Sequence, residues 1–253
     1  MITDPIFYIC AIPAILVNGL SKGGFGGVGI LSVPLIAIAI GPIQAAAILL
    51  PILVVMDGVA LWSFRKRWSM ENLKIILPGA ILGIVIGTFS FRYLSEDAIR
   101  VLIGTIAVVF CLNYLSKRSV VEKTSPNKIK GIFWGTIAGF TSFGIHSGGP
   151  PIRIYLLPQR LEKTMLAGTM AIFFAVVNFI KLLPYAWLGQ LDQINMMTAL
   201  VLMPLAPIGV RLGVFLLNRT NEKLVYRLYY LFLFAVGIKL SFDGSMGLIR
   251  SLT

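Results

Sequence analysis

Two glycine-rich stretches decide how this chain folds: Ser21-Lys22-Gly23-Gly24-Phe25-Gly26-Gly27 and Ser142-Phe143-Gly144-Ile145-His146-Ser147-Gly148-Gly149. Each of them interrupts a stretch that is otherwise apolar. Hydrocarbon offers no water to the N–H and C=O groups that such a break frees, so a break survives only inside protein or along a cavity. Matched breaks in corresponding places of two halves are typical of the binding site of a transporter built from repeats. We therefore predict that the functional site lies at these two breaks.

The sequence around the breaks is that of a membrane protein. Of its 253 residues, 57% are hydrophobic and 13% are charged, whereas about 25% are charged in soluble domains. Six apolar runs approach or reach the roughly 20 residues that cross a bilayer as helix. These runs are 44–64, 75–94, 98–115, 165–183, 196–217 and 224–242. None of them alternates with period two, so we predict an all-α integral membrane protein and not a barrel.

The net charge of +12 does not indicate a nucleic-acid partner, because most basic residues lie in short loops between apolar runs. Lys and Arg are enriched in cytoplasmic loops, so this distribution is a topology signal. Cys10 and Cys111 both lie in apolar runs, which favours packed thiols over a disulfide or a metal site. We expect neither a cofactor nor a metal. The N-terminal run lacks the basic leader and cleavage site of a signal peptide, so we expect it to remain in the membrane domain.

The chain contains an internal repeat. Pro78 to Arg100 matches Pro204 to Tyr226 without gaps, at an offset of 204 − 78 = 126, and an offset of 122 lays Gly26-Gly27 over Gly148-Gly149. We predict a single domain over residues 1–253, with repeat one at about 1–116 and repeat two at about 130–245.

Loop charges predict that the two repeats are inverted. The loop from Arg65 to Lys74 is basic and therefore inside, whereas its counterpart from Tyr185 to Gln193 has no Lys or Arg and is therefore outside. Each repeat is predicted to be a glycine-rich broken or re-entrant helical hairpin followed by three transmembrane helices. The hairpin arms, at 5–20, 28–40, 131–141 and 150–157, are shorter than the roughly 17 residues of a short span. This favours two re-entrant hairpins and six spans, although arms that cross fully would give ten helices with the same symmetry.

The residues at the breaks favour a small anionic ligand. Where a hairpin unwinds, its second arm presents a helix N-terminus with free N–H groups and about half a positive charge. Lys22 adds a full charge unless it snorkels to an interface, and serine hydroxyls donate to oxyanion oxygens. Gly-rich segments also serve as packing surfaces, but two matched breaks with hydroxyls favour a ligand. The predicted substrate-binding residues are Ser21, Lys22, Gly23, Gly24, Gly26, Gly27, Ser142, Gly144, His146, Ser147, Gly148, Gly149 and Arg153.

Several polar residues within apolar segments are candidates for a transport pathway. Asp57 aligns with Asn178 at an offset of 178 − 57 = 121, and we predict that both face this pathway. His146 is the single histidine, and it serves either as a neutral hydrogen-bonding group or as the carrier of a coupling proton. Lys181, Arg211 and Lys239 lie nearer segment ends, where we expect their side chains to snorkel towards the interface.

The segment from Asn18 to Gly29, followed by Pro34-Leu35, and the segment from Ser142 to Pro151 resemble the TauE/SafE family of membrane transporters. This resemblance implies a multi-pass carrier of the bacterial or archaeal inner membrane that exports sulfite or organosulfonates such as sulfoacetate. Our leading hypothesis is therefore a secondary transporter, and an exporter, of a small sulfur-containing oxyanion.

Two other classes remain open. An anion channel for small oxyanions is the nearer one. An intramembrane hydrolase would use Ser147 with His146, but the order of residues from Gly144 to Gly148 lacks the serine-centred nucleophile elbow, so we do not expect an enzyme. The sequence indicates no oligomeric state.

Overall fold

The computed structural model describes residues 1–25, 28–65, 67–116, 123–216 and 222–252. No β-strand occurs in these ranges, as expected for an all-helical protein. The α-helices are α1 Pro5–Leu20, α2 Ser32–Ile40, α3 Pro42–Ser63, α4 Met70–Tyr93, α5 Glu96–Ser116, α6 Lys128–Ile145, α7 Gly149–Leu156, α8 Lys163–Trp187, α9 Gln193–Leu202, α10 Leu205–Leu216 and α11 Glu222–Leu252.

Polar residues at the loop ends start the long helices. Ser69, Asn127 and Asp192 each accept a hydrogen bond at the start of α4, α6 and α9, from the backbone N–H groups of Asn72, Lys130 and Asn195. Such side-chain caps satisfy donors that have no partner within the helix. Two of these caps, Ser69 and Asp192, lie in the loops from which the sequence predicts the orientation of the two halves.

Four helices of the described chain are long and apolar enough to cross a membrane: Pro5–Gly24, Pro42–Ser63, Met70–Tyr93 and Lys163–Trp187. The predicted run 196–217 is not one straight helix, because α9 and α10 meet at Pro204 with a bend of 44° and form a fifth span only as a pair. Proline has no N–H to continue the helix and clashes with the preceding turn. Runs 98–115 and 224–242 form α5 and α11, whose side chains are described only in part.

Three of the four hairpin arms have the predicted extent to within one residue, whereas the arm predicted at 131–141 is longer and forms α6. A π-helical turn, Ser21–Phe25, extends α1, so that Pro5–Gly24 is 20 residues long and sufficient for a span. The expectation that this arm is too short is therefore wrong. In the second hairpin the first arm, α6, has 18 residues, whereas α7 has 8. Both hairpins thus combine a long first arm with a short second arm.

The main helix pairs join residues 1–116 to residues 123–252. α4 packs along α6, α1 along α10, α3 against α8, and α5 along α11. Glycines allow these close contacts: a Cβ on Gly19 would lie 2.6 Å from Cα of Gly209, and one on Gly83 would lie 2.7 Å from the backbone N of Phe140. Gly83 and Gly209 are matched positions of the sequence repeat, so the spacing of small residues that recurs in both halves serves helix packing.

Candidate substrate-binding site

The two breaks meet at a cavity of about 270 Å³. Its wall includes residues from both breaks, together with one face of α3, one face of α8, and Arg153 of α7. Of the predicted site and pathway residues, the cavity is lined by Ser21, Lys22, Gly24, Ser142, His146, Ser147, Gly149, Arg153, Asp57 and Asn178. A cavity of this size is smaller than the roughly 300 to 1,000 Å³ of sites for drug-sized ligands, and it suits a small ion.

Each break contains a residue with positive φ. Gly24 has φ 132°, a conformation that side chains rarely adopt, so glycine is needed there. His146 has φ 53° and caps α6, where its backbone N–H bonds the Ser142 carbonyl at 3.1 Å. α7 then begins at Gly149, with Pro150 in its first turn. The predicted helix start at the second break is thus confirmed, but the predicted set of free N–H groups is not, because Pro150 and Pro151 have no N–H and that of Ile152 bonds the Gly148 carbonyl oxygen.

Lys22 at the first break forms an ion pair with Asp57 of α3. Their side chains are only 10% and 3% exposed, respectively. Asn178 of α8 donates from Nδ2 to the other carboxylate oxygen of Asp57 at 2.6 Å, and the Lys22 ammonium lies 5.2 Å from the ring centre of Phe174. Lys22 therefore points into the protein, and the aligned residues Asp57 and Asn178 contact each other directly.

Lys181 is completely buried, with 0% of its surface exposed. Its ammonium donates to the carbonyl oxygen and Oγ of Ser142, at 2.8 and 3.1 Å, and lies 2.7 Å from Nδ1 of His146. The expectation that Lys181 snorkels is wrong, because the second break supplies acceptors for all three of its donors. Sequence reasoning missed this residue, although its spacing of three from Asn178 places the two on one face of α8.

The hydrogen bonds of His146 define its tautomer. Nε2 lies 2.8 Å from the carbonyl oxygen of Ala46, which only accepts, so Nε2 carries a hydrogen. With this tautomer Nδ1 accepts from the Lys181 ammonium at 2.7 Å, and it also lies 3.2 Å from the carbonyl oxygen of Ser142. This pattern corresponds to a neutral imidazole that links α3, α6 and α8. Neither ring nitrogen is left to activate Ser147.

Two polar atoms at the cavity are buried without a hydrogen-bond partner within the described part of the chain: Oγ of Ser147 and Nε of Arg153. Ser147 is 1% exposed. Buried polar groups nearly always have partners, so each such atom requires an explanation. Both residues line the cavity, where a ligand oxygen is a suitable acceptor for these donors.

The cavity is positively charged. Lys22, Arg153 and Lys163 line it and Lys181 lies directly behind Ser142 and His146, whereas Asp57 is the one acidic residue among the lining residues of the described chain. Within the described ranges no three His, Cys, Asp or Glu side chains come together as a metal would require.

The remaining predicted residues lie elsewhere. A Cβ on Gly23 would lie 2.6 Å from Cα of Gly213, and one on Gly144 would lie 2.6 Å from Cε1 of Phe91, so both are at packing contacts. Gly148 caps α7 and does not line the cavity. Gly26 and Gly27 lie outside the described residues. Substrate binding by these five glycines stays a prediction.

The other two cations for which snorkelling is expected, Arg211 and Lys239, are exposed. Lys239 pairs with Asp243 at 2.5 Å, one helical turn further along α11. Neither residue lines the cavity.

Apolar helices of membrane-spanning length, with a cavity that carries charged and polar side chains between two broken segments, are the features of a multi-pass integral membrane transporter. Residues 11–240 match the sulfite exporter TauE/SafE family, and the chain belongs to this family. It is similar to the probable sulfite/organosulfonate exporter TauE of Cupriavidus necator, with 26% identity over 144 residues. The match covers 54% of this chain and 53% of that protein, so the chain spans about half the length of this curated relative. No solved structure matches the chain.

Proposed function

We propose that this chain is a secondary transporter that exports a small sulfur-containing oxyanion, such as sulfite or an organosulfonate, across the bacterial or archaeal inner membrane. The carrying observation is the buried, unpartnered Oγ of Ser147 in a cavity whose charged residues are mostly cations. The relative from Cupriavidus necator bears the name of a sulfite/organosulfonate exporter, which supports this substrate class.

In the proposed complex the anion lies between the second break and α7. Its oxygens accept hydrogen bonds from Ser147 and from Ser142, whose Oγ accepts from Lys181 and keeps its own hydrogen for the ligand. At the start of α7, Pro150 and Pro151 have no N–H and the N–H of Ile152 bonds the carbonyl oxygen of Gly148 at 3.4 Å, so this helix offers the ligand the N–H of Gly149. Arg153 and the buried ammonium of Lys181 balance the negative charge.

An inverted relation between the two halves underlies the proposed transport cycle. By the offsets of the sequence repeat, α1 corresponds to α6, α3 to α8, α4 to the α9–α10 pair, and α5 to α11. The contact of α1 with α10 is therefore equivalent to the contact of α6 with α4. The contacts of α3 with α8 and of α5 with α11 each join a helix to its own counterpart. Such reciprocal contacts are expected about a two-fold axis. The positive-φ residues Gly24 and His146 are also 146 − 24 = 122 positions apart, which is the offset between the breaks.

The conformation described here is assigned to the inward-open state. The lining of the cavity includes Arg153 and Lys163, and the basic residues Arg160 and Lys163 predict a cytoplasmic position for the loop before α8. On the other side of the breaks Tyr185 donates to the carbonyl oxygen of Phe143 at 2.5 Å, and the rings of Phe143 and Phe91 pack edge to face. Rocking of one half against the other would open this side and close the cytoplasmic one. A cavity closed at one end favours a carrier over a channel.

The proposed driving force is the membrane potential alone. Expelling one negative charge from a negative interior yields roughly 2.3 kcal/mol per 100 mV. His146 serves in this scheme as a neutral link between helices, so that no proton is coupled to export. Hydrolysis receives no support, because Oγ of Ser147 has no bond to His146 within the described chain.

The test is counterflow of radiolabelled sulfite in vesicles that contain the purified protein. We expect saturable uptake that is accelerated by unlabelled sulfite inside the vesicle, and a clear loss of this flux in Arg153→Gln. Lys239→Gln, which removes an exposed cation, is the matched control and should transport normally. Absence of saturable flux for sulfite and sulfoacetate alike would refute the proposal, and single-channel currents would assign the protein to the channel class.

A further inference from the structure

We infer that Asp57 is a tethered competitor of the substrate: its carboxylate occupies Lys22 while the site is empty, and the anion binds Lys22 by displacing it. This inference rests on the proposed transport function. It assigns to Asp57 control over how tightly the site holds its anion and over when the first break is free to move.

The position of the pair within the cavity is the first argument. Lys22 and Asp57 both line the cavity, so a ligand that enters it reaches their contact directly. The ammonium also lies 5.2 Å from the centre of the Phe174 ring, which offers a π face but no charge. Asp57 is also the one carboxylate among the lining residues of the described chain. The negative charge that Lys22 requires in this buried setting therefore comes from Asp57 or from a ligand.

The second argument is that Asp57 has another partner to hold it after displacement. Nδ2 of Asn178 donates to Oδ2 at 2.6 Å, whereas Lys22 contacts Oδ1. Departure of Lys22 from Oδ1, with the carboxylate in place, thus leaves the hydrogen bond at Oδ2 intact. A buried carboxylate without any partner would be costly, and the amide of Asn178 lowers that cost.

The third argument is independent of the ion pair. Oγ of Ser147 is buried and has no partner in the described part of the chain, and Ser147 lines the same cavity. A wall donor without an acceptor indicates that the empty site is incomplete. In the proposed complex, an oxyanion supplies oxygens both to this hydroxyl and to Lys22. Asp57 contacts Lys22 and Asn178, but it supplies no acceptor to Ser147.

Displacement also connects binding to movement. While Asp57 holds Lys22, the first break is tied to α3 and, through Asn178, to α8 of the other half. A bound anion releases the first break from this connection. The empty transporter is thereby held in one conformation, and the loaded one is free to change.

The experiment is to measure the dissociation constant for sulfite in detergent-solubilised wild-type protein and in Asp57→Asn. Asparagine keeps the shape and the contact to Asn178 but removes the competing charge, so we expect the dissociation constant to fall about tenfold, the low end for close charge pairs. Asp243→Asn removes the carboxylate of the exposed pair with Lys239 and should leave binding unchanged. If size-exclusion chromatography shows that Asp57→Asn does not fold, Asp57→Ser takes its place with the same expectation.

A double-mutant cycle with Lys22→Gln measures how Lys22 and Asp57 are coupled in sulfite binding, and the sign of this coupling tests the inference. Under competition, Lys22→Gln weakens sulfite binding more in the Asp57→Asn background than in the wild-type protein, because Lys22 is then fully available to the ligand. Equal or weaker binding by Asp57→Asn, or a smaller effect of Lys22→Gln in that background, would overturn the inference and leave the proposed function standing. A wild-type protein that binds and transports no sulfur oxyanion would overturn both.

Discussion

Replacing Lys181 by methionine tests whether the buried ammonium behind the second break acts on the substrate. Methionine is similar in length and apolar, so the change removes the charge and its hydrogen bonds while it leaves no large cavity. The carbonyl of Ser142 keeps a partner, the backbone N–H of His146, and Nδ1 of His146 loses its donor.

The size of the effect follows from the distances. The ammonium lies 3.1 Å from Oγ of Ser142, and an anion that accepts from this hydroxyl lies about 2.7 Å further on. The two charges are then at most about 6 Å apart, which corresponds to about 3 kcal/mol at an effective dielectric constant of 20. We therefore expect sulfite to bind about a hundredfold more weakly to Lys181→Met.

Isothermal titration with sulfite, together with the vesicle assay, measures this loss. Lys239→Met, at an exposed ion pair on α11, is the matched control and should bind like the wild-type protein. The thermal unfolding midpoint separates lost binding from lost folding. If folded Lys181→Met binds sulfite within threefold of the wild type, the charge of Lys181 does not reach the ligand and the reasoning is refuted.

Two further predictions concern a site hydroxyl and a packing contact. Ser147→Ala should weaken sulfite binding by about three- to tenfold and leave the unfolding midpoint unchanged, because its Oγ has no partner in the described protein to lose; an unaltered affinity would contradict the assigned role. Gly83→Ala should destabilise the protein by about 1 to 3 kcal/mol, because the new Cβ would lie 2.7 Å from the backbone N of Phe140. Gly58→Ala is its control: nothing lies within 4 Å of that position, so thermal unfolding should show no loss of stability, and equal losses in both variants would refute the packing explanation.

The sequence predicts the helical class, most helix positions and the location of the breaks, because these depend on apolar runs and glycines that are local in the chain. It does not predict the bend at Pro204. The matched residue Pro78 lies inside the continuous helix α4, whereas the chain breaks between α9 and α10 at Pro204. Whether a proline bends a membrane helix or is accommodated within it depends on how neighbouring helices satisfy the carbonyl groups that it frees. Those neighbours are set by tertiary structure and not by the local sequence.

For the site, sequence reasoning identifies the residues at the breaks but not their pairing. The contact of Lys22 with Asp57 joins residues 35 positions apart on different elements, and no local pattern specifies it. The predicted location of Lys181 at the interface is wrong for a different reason. The apolar run ends at residue 183, which puts Lys181 near an end, but α8 continues through Pro184 to Trp187 and carries Lys181 deeper into the protein.

The packing of helices from one half against helices of the other half has a consequence for biosynthesis. When the first 116 residues have left the ribosome, α4 is complete, but the helix against which its glycines pack, α6, has not yet been made. The same is true of α1, whose partner α10 comes near the end of the chain. We therefore expect that α1 and α4 lack these partners until the second half has been synthesised and inserted. A chain truncated after α5 would then present unpartnered glycine faces, and we expect it to be less stable in the membrane than the whole chain.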